Sequence, residues 1–252
     1  MVAHEYAENG EMTNPFPAGI PADIDDPGLI AANDWAAFES VGEMVNHWER
    51  PGWHPGRRSY LWILSFTENV DLSTIAQECF QACSAHAFDQ VPLDALHLTV
   101  RRVGFTDEID EDSLEAIFTR AESLCAKIES FPLNAGPLAA SRGAVRFSVA
   151  PWSVLFEIYD AVGVASQLVT GRGSPSARET FRPHISIAYS RTRQEAKTLR
   201  QSVARYRALP PIGFKVSRVE LVELRRESAA YRWNVIRGVD LALNRADRRR
   251  DA

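Results

Sequence analysis

Leu96-His97-Leu98-Thr99-Val100 and Pro183-His184-Ile185-Ser186-Ile187 are near-copies of one another in distant parts of the chain. Each sets a histidine two residues before a hydroxyl side chain, with aliphatic residues between and after. A half-buried β-strand places two such side chains on one face. Their Cα atoms then lie roughly 6.5–7 Å apart, so imidazole and hydroxyl can attend the same phosphate. The bare spacing is weak evidence: six histidines give about 0.7 His-x-Ser/Thr matches by chance. Requiring an aliphatic residue both between and after lowers that to about 0.15, so two matches have a probability on the order of 0.01. The strand setting carries the specificity.

Around the two segments the chain repeats an order. The run Tyr60-Leu61-Trp62-Ile63-Leu64-Ser65-Phe66 reads as a buried strand. A helix over 71–87 then precedes the His97 strand at 96–103, followed by a helix over 111–128 and strands at 131–139 and 144–150. A helix over 153–170 precedes the His184 strand at 183–189, followed by a helix over 193–207 and strands at 213–224 and 231–238. Both halves read α-β-α-β-β, and a repeated order signals a repeated structure. The expectation is an α+β fold, bilobal and duplicated, with antiparallel sheets lining a central cleft that holds both motifs.

Strand alternation puts His97, Thr99 and Arg101 on one face, and Arg182, His184, Ser186 and Ala188 on another, with Arg102 and Tyr189 turned away. An arginine is thereby expected beside each motif as a substrate-binding group. Trp62, Tyr60, Phe105 and Trp152 are candidates to stack on a nucleobase, although core packing is the ordinary use of such residues.

Three segments make up the chain: an N-terminal arm and amphipathic helix over 1–55, the duplicated body over 56–240, and a polar basic tail over 241–252. The arm is punctuated by Pro15, Pro17, Pro21 and Pro27, which favours extended backbone. From Asn33, as candidate N-cap, the residues Trp35, Phe38, Val41, Val45 and Trp48 form a helical stripe that Pro51-Gly52 would end. This N-terminal helical extension is expected to dock on the body.

At 252 residues, 45% hydrophobic and 24% charged, the composition is that of a globular protein. The longest apolar runs fall well short of a membrane span and the N-terminus lacks the pattern of a signal peptide, so no membrane partner and a cytoplasmic location are expected. Three cysteines, Cys79, Cys83 and Cys125, suggest neither a disulfide framework nor a zinc site. A formal net charge of −5 disfavours broad binding to duplex DNA, while leaving room for a local basic pocket. Gly171-Arg172-Gly173-Ser174-Pro175 lacks the Gly-Lys-Ser/Thr ending of a phosphate-binding loop. No nucleophile elbow or His-Glu-x-x-His helix competes for the chemistry.

Histidine exchanges protons near neutral pH, its ordinary pKa being about 6.5. Two imidazoles supply the base and the acid that opening a phosphodiester requires, and Thr99, Ser186 and an arginine can donate to the charged phosphate oxygens. No metal and no cofactor is needed for this scheme.

The segments His97-Leu98-Thr99-Val100-Arg101-Arg102 and Arg182-Pro183-His184-Ile185-Ser186-Ile187-Ala188-Tyr189, with the repeat around them, resemble the 2H phosphoesterase superfamily and its 2′-5′ RNA ligase-like branch. The resemblance spans about residues 58–240. It implies a bilobal α+β fold and catalysis by His97, Thr99, His184 and Ser186, serine being a permitted variant in the second motif. It also implies phosphodiesterase action on a nucleotide 2′,3′-cyclic phosphate or a short 2′-5′ linked RNA end. Two alternatives stay open: 2′-5′ RNA end joining by the same site, and a module that binds a nucleotide or RNA end without turnover. The sequence sets no oligomeric state.

Overall fold

The computed structural model describes residues 5–6, 12–13, 19–171 and 177–244. In chain order the elements are β1 (Glu5–Tyr6), β2 (Met12–Thr13), α1 (Pro27–Glu39), β3 (Glu43–Met44), β4 (Arg58–Ser65), α2 (Val70–Phe80), β5 (Phe88–Gln90), β6 (His97–Phe105), α3 (Glu111–Cys125), β7 (Phe131–Ala140), β8 (Ala144–Ala150), α4 (Ser153–Thr170), β9 (His184–Ser190), β10 (Gln194–Glu195), α5 (Ala196–Ala204), β11 (Ile212–Val216), β12 (Arg218–Glu227) and β13 (Ala230–Asp240).

The protein is α+β, and beside two short two-stranded pairings, β1-β2 and β10-β3, the described residues form two larger antiparallel sheets. One runs β13-β12-β4-β6 and the other β11-β7-β8-β9-β5. The repeated order does not give one sheet per half. The first half sends β6 to the four-stranded sheet and its hairpin β7-β8 to the five-stranded one; the second half sends β9 to the five-stranded sheet and β12-β13 back to the four-stranded one. Strands from both halves of the sequence therefore meet in each sheet, which ties the two sheets together. The strands β6 and β9 themselves approach to within 8 Å between Cα atoms.

Behind the four-stranded sheet lie α3 and α4, where Trp62 stacks on Phe118 of α3. The helices α2 and α5 pack against β9 and β7 of the other sheet. Trp62, Trp152, Phe38 and Leu64 are among the fully buried side chains of one continuous core. A small separate cluster of Leu61, Ile63, Val222 and Leu224 sits under Trp53, Tyr231 and Trp233.

Several boundaries differ from the sequence expectations. The N-terminal helix starts at Pro27 rather than near Asn33, because Asp26 caps it, its side chain accepting from the Leu29 amide at 2.8 Å, and proline suits the first helical position. It ends at Glu39, well before Pro51-Gly52, so Val45 and Trp48 belong to an irregular segment. Helix α2 stops at Phe80 and a 3₁₀ turn, Gln81–Cys83, leads towards the short β5. Helix α5 is shorter than 193–207, and the expected strand at 213–224 is two strands broken at Ser217. Helix α4 has the expected bounds, closed by Gly171 in the left-handed conformation, φ 62°. The rest of the glycine-rich loop at 172–176, the tail from 245 onward, and most of the arm before residue 19 lie outside the described residues.

Candidate active site

The face each motif presents is decided by a β-bulge. Strand β4 pairs Ile63 with Thr99 but Trp62 with Arg101, so Val100 is an extra residue in β6. One extra residue inverts the alternation beyond it. Arg101 accordingly points to the helix side, contrary to the expectation that it joins His97 and Thr99. Its guanidinium lies 4.4 Å from the Tyr159 ring centroid and against Gly163 of α4, where an added Cβ would come within 2.4 Å of it. Arg102, expected to turn away, pairs with Leu61 on the motif face. Its Nε donates to the Ser59 hydroxyl at 3.1 Å and its guanidinium covers the Phe105 ring at 3.7 Å.

Strand β9 repeats the device. Ser186 pairs with Arg146 and Ala188 with Val145, so Ile187 is the extra residue. Tyr189 thereby swings onto the His184 face, again contrary to simple alternation. Its phenol is hydrogen-bonded to the Ser186 hydroxyl, and its ring stacks on His47 at 3.9 Å between centroids. In both strands the histidine stands opposite a serine across the ladder, Ser65 for His97 and Ser148 for His184.

The two imidazoles are locked in the same way. The His97 Nδ1 lies 3.0 Å from the Ala95 carbonyl oxygen, and the His184 Nδ1 lies 2.7 Å from the Arg182 carbonyl oxygen. A carbonyl can only accept, so Nδ1 carries the proton in each ring and Nε2 is the nitrogen that can take or give one. His97 and Ser186 are buried, at 8% and 7% exposure, whereas Thr99 is exposed.

Their electrostatic settings differ. Burial, and then the Arg146 guanidinium, push the His184 pKa down to about 3, with the Arg182 carbonyl and the Asp34 carboxylate opposing. His97 is one of the groups lowering it, which places the two histidines within electrostatic reach of each other. Burial also lowers the His97 pKa, opposed by its bond to Ala95. The Trp233 ring packs edge-on against His97, 5.1 Å between centroids.

Of the expected residues, the structure brings His97, Thr99, His184 and Ser186 to facing strands and takes Arg101 away. Arg182 is buried at 3% exposure, donates to the Phe181 carbonyl at 3.1 Å, and sits 6.0 Å from the Trp152 ring centroid. Trp62 and Trp152 are core residues, and Phe105 lies between the guanidiniums of Arg57 and Arg102. The free thiols of Cys79, Cys83 and Cys125 are all buried, and burial pushes each up to about 12.

The sequence reading missed His47, Arg102, Trp233 and the buried pair Arg146–Asp34. His47 lies in the segment after α1, and its Nδ1 accepts from Arg50 at 3.0 Å, which leaves Nε2–H for the Tyr231 hydroxyl at 3.2 Å. This is the opposite tautomer to that of the motif histidines. No spacing rule marks such residues, because the fold assembles them from five separate segments. Among the described residues no group of three or more His, Cys, Asp or Glu side chains could hold a metal ion, and no helix is long and apolar enough to cross a membrane.

A family model described as the 2′-5′ RNA ligase superfamily matches residues 72–228. Comparison with curated proteins found no match. Among solved structures, TT0787 of Thermus thermophilus is similar with a TM-score of 0.54 at 15% identity, over 75% of this chain and 99% of that one. A structure titled as a phosphoesterase is similar with a TM-score of 0.52 at 15% identity, over 74% and 99%. Apo LigT of E. coli is 18% identical with a TM-score of 0.49, over 74% and 98%. At these identities the first two likenesses establish the fold.

Proposed function

The chain belongs to the 2′-5′ RNA ligase superfamily, and on that premise we propose that it is a metal-independent phosphodiesterase acting on a nucleotide 2′,3′-cyclic phosphate or a short 2′-5′ linked RNA end. The observation that carries the reading is the identical locking of two imidazoles on facing strands, each with Nδ1 held by a backbone carbonyl, which makes Nε2 the nitrogen that exchanges a proton. His184, kept neutral by burial beside Arg146, is the base. Its Nε2 takes a proton from water as the water oxygen bonds to phosphorus. His97, which gains a proton once the anionic phosphate binds near it, gives that proton to the departing ribose oxygen as the P–O bond breaks.

Charge builds on the equatorial phosphate oxygens during attack, and the Thr99 and Ser186 hydroxyls are the donors placed to meet it. Arg102, not Arg101, is the guanidinium on the His97 face. Trp233, half-buried beside His97, offers a flat apolar surface for a base, and stacking of this kind is worth about 1–3 kcal/mol.

The test is incubation with 2′,3′-cyclic nucleotides and 2′-5′ linked dinucleotides in excess EDTA, comparing wild type with His97→Ala and His184→Ala. Turnover persists in EDTA and falls by about 10²–10⁴ in either variant if the reading holds. Loss of turnover in EDTA would overturn the metal-free mechanism. Tight binding without product would identify a binding module instead, and joining of RNA ends in place of hydrolysis would identify a ligase.

A further inference from the structure

Helix α1 lies outside the segment that matches the family, yet it packs on the five-stranded sheet that carries the second motif. Its Asp34 is fully buried. One carboxylate oxygen accepts from Arg146 Nη2 at 2.8 Å; the other accepts from Arg146 Nη1 at 3.2 Å and from the Ser148 hydroxyl at 2.5 Å. The ladder pairs Arg146 with Ser186 and Ser148 with His184, and paired residues of antiparallel strands share a face. The three-residue cluster is thus the immediate neighbour of both motif side chains.

We propose that α1 is a working part of the active site: through Asp34 it holds Arg146 and Ser148 against Ser186 and His184, making Asp34 and Arg146 positioning residues for the second motif. A buried ion pair is a poor device for stability alone, since apolar residues of similar volume often do as well. Here it does something apolar residues cannot. It sets a full positive charge beside one histidine and fixes that charge in a bidentate clamp, so the ring stays neutral and oriented. The groups facing His184 are Arg146 on β8, Asp34 on α1, His97 on β6, the Arg182 carbonyl just before its own strand and, further off, His47 after α1. Arg146 outweighs Asp34 among them.

The inference rests on the proposed base role of His184 only where rates are concerned. Its main test uses the substrate-free protein: imidazole NMR titration of ¹³C/¹⁵N-histidine-labelled chain from pH 8 down to about 2.5, a span that covers both an ordinary histidine and one held near 3. Wild-type His184 is expected to stay neutral through the ordinary histidine range, with the proton on Nδ1, and to titrate only near pH 3. Replacing Arg146 alone strands a buried carboxylate, so the pair is replaced together, as Asp34→Leu/Arg146→Met and as Asp34→Asn/Arg146→Gln, giving one apolar and one polar version. In whichever folds, the His184 midpoint rises by about one unit or more while the His97 midpoint moves less. In the same variants kcat falls with KM little changed, and the acid limb of the rate profile moves to higher pH. An unmoved His184 titration in a folded double variant overturns the inference. A moved titration in a protein that never turns over cyclic phosphates leaves it standing and sinks the functional reading instead.

Discussion

The two motif strands solve the same backbone problem and then part company. In β6 and β9 alike the histidine is tied through Nδ1 to the carbonyl two residues before it, faces a serine across the ladder, and is followed by a bulge one residue past the hydroxyl. Around His97, however, the site is open: Thr99 is exposed, and Trp233 and Arg102 are half-buried. His184 itself is half-buried, but the groups behind it are closed in, with Ser186 bonded to Tyr189 and Arg146 and Asp34 fully buried. The lesson is that two near-identical strands hold two imidazoles alike, while their surroundings differ, and the proposed division into base and acid rests on that difference.

The largest effect should follow from removing either ring. His97→Ala and His184→Ala each cost about 10²–10⁴ in kcat, measured with a 2′,3′-cyclic nucleotide. An asymmetry beyond that range would show that one strand carries the chemistry alone. The hydroxyls come next. Loss of one charge-stabilising donor costs about 10²–10³ in kcat, so Thr99→Val and Ser186→Ala are both impaired in steady-state assays. Ser186→Ala should also disturb the Tyr189 phenol, visible as a changed tyrosine ultraviolet titration; Thr99→Val should not.

Arg102→Ala and Arg101→Ala sharpen the comparison through the bulges. The first weakens substrate binding and the second does not, because Arg101 covers Gly163 on the helix side. Gly163→Ala, by forcing an added methyl against that guanidinium, is expected to lower stability by about 1–3 kcal/mol in denaturant melts and leave KM unchanged.

Stability should carry a smaller, graded signature of pH. His47, His97 and His184 all have folded pKa values below the ordinary 6.5. The unfolded chain therefore takes up protons first as pH falls beneath 6.5. Stability is full above that value and declines below it, for His184 down to about pH 3. Melting temperatures at pH 7.5 and 5 are the check, and His184→Phe should reduce the difference between them.

Much of this was legible in the sequence and some was not. The bounds of α4, the hairpin β7-β8 and the two motif strands follow from hydrophobic period and turn residues, which act locally. The bulges do not: Val100 and Ile187 are ordinary β-branched strand residues, and only their pairing with β4 and β8 reveals them as extra. These two hidden residues are why Arg101, Arg102 and Tyr189 are placed on the wrong faces by simple alternation. Asp34 and Arg146 were invisible for a different reason. They meet across more than a hundred residues of sequence, and a charged side chain in a helix or strand reads as solvated until a partner is known.

The central claim, that two histidines of opposite role carry out metal-free acid–base chemistry, is tested most directly by the pH profile of kcat/KM in EDTA under conditions where chemistry limits the rate. The expected result is a bell whose two apparent pKa values belong to the pair and whose alkaline limb falls below 6.5, since both rings hold their protons less tightly than a free histidine. A profile that stays flat from pH 5 to 9 would contradict the account.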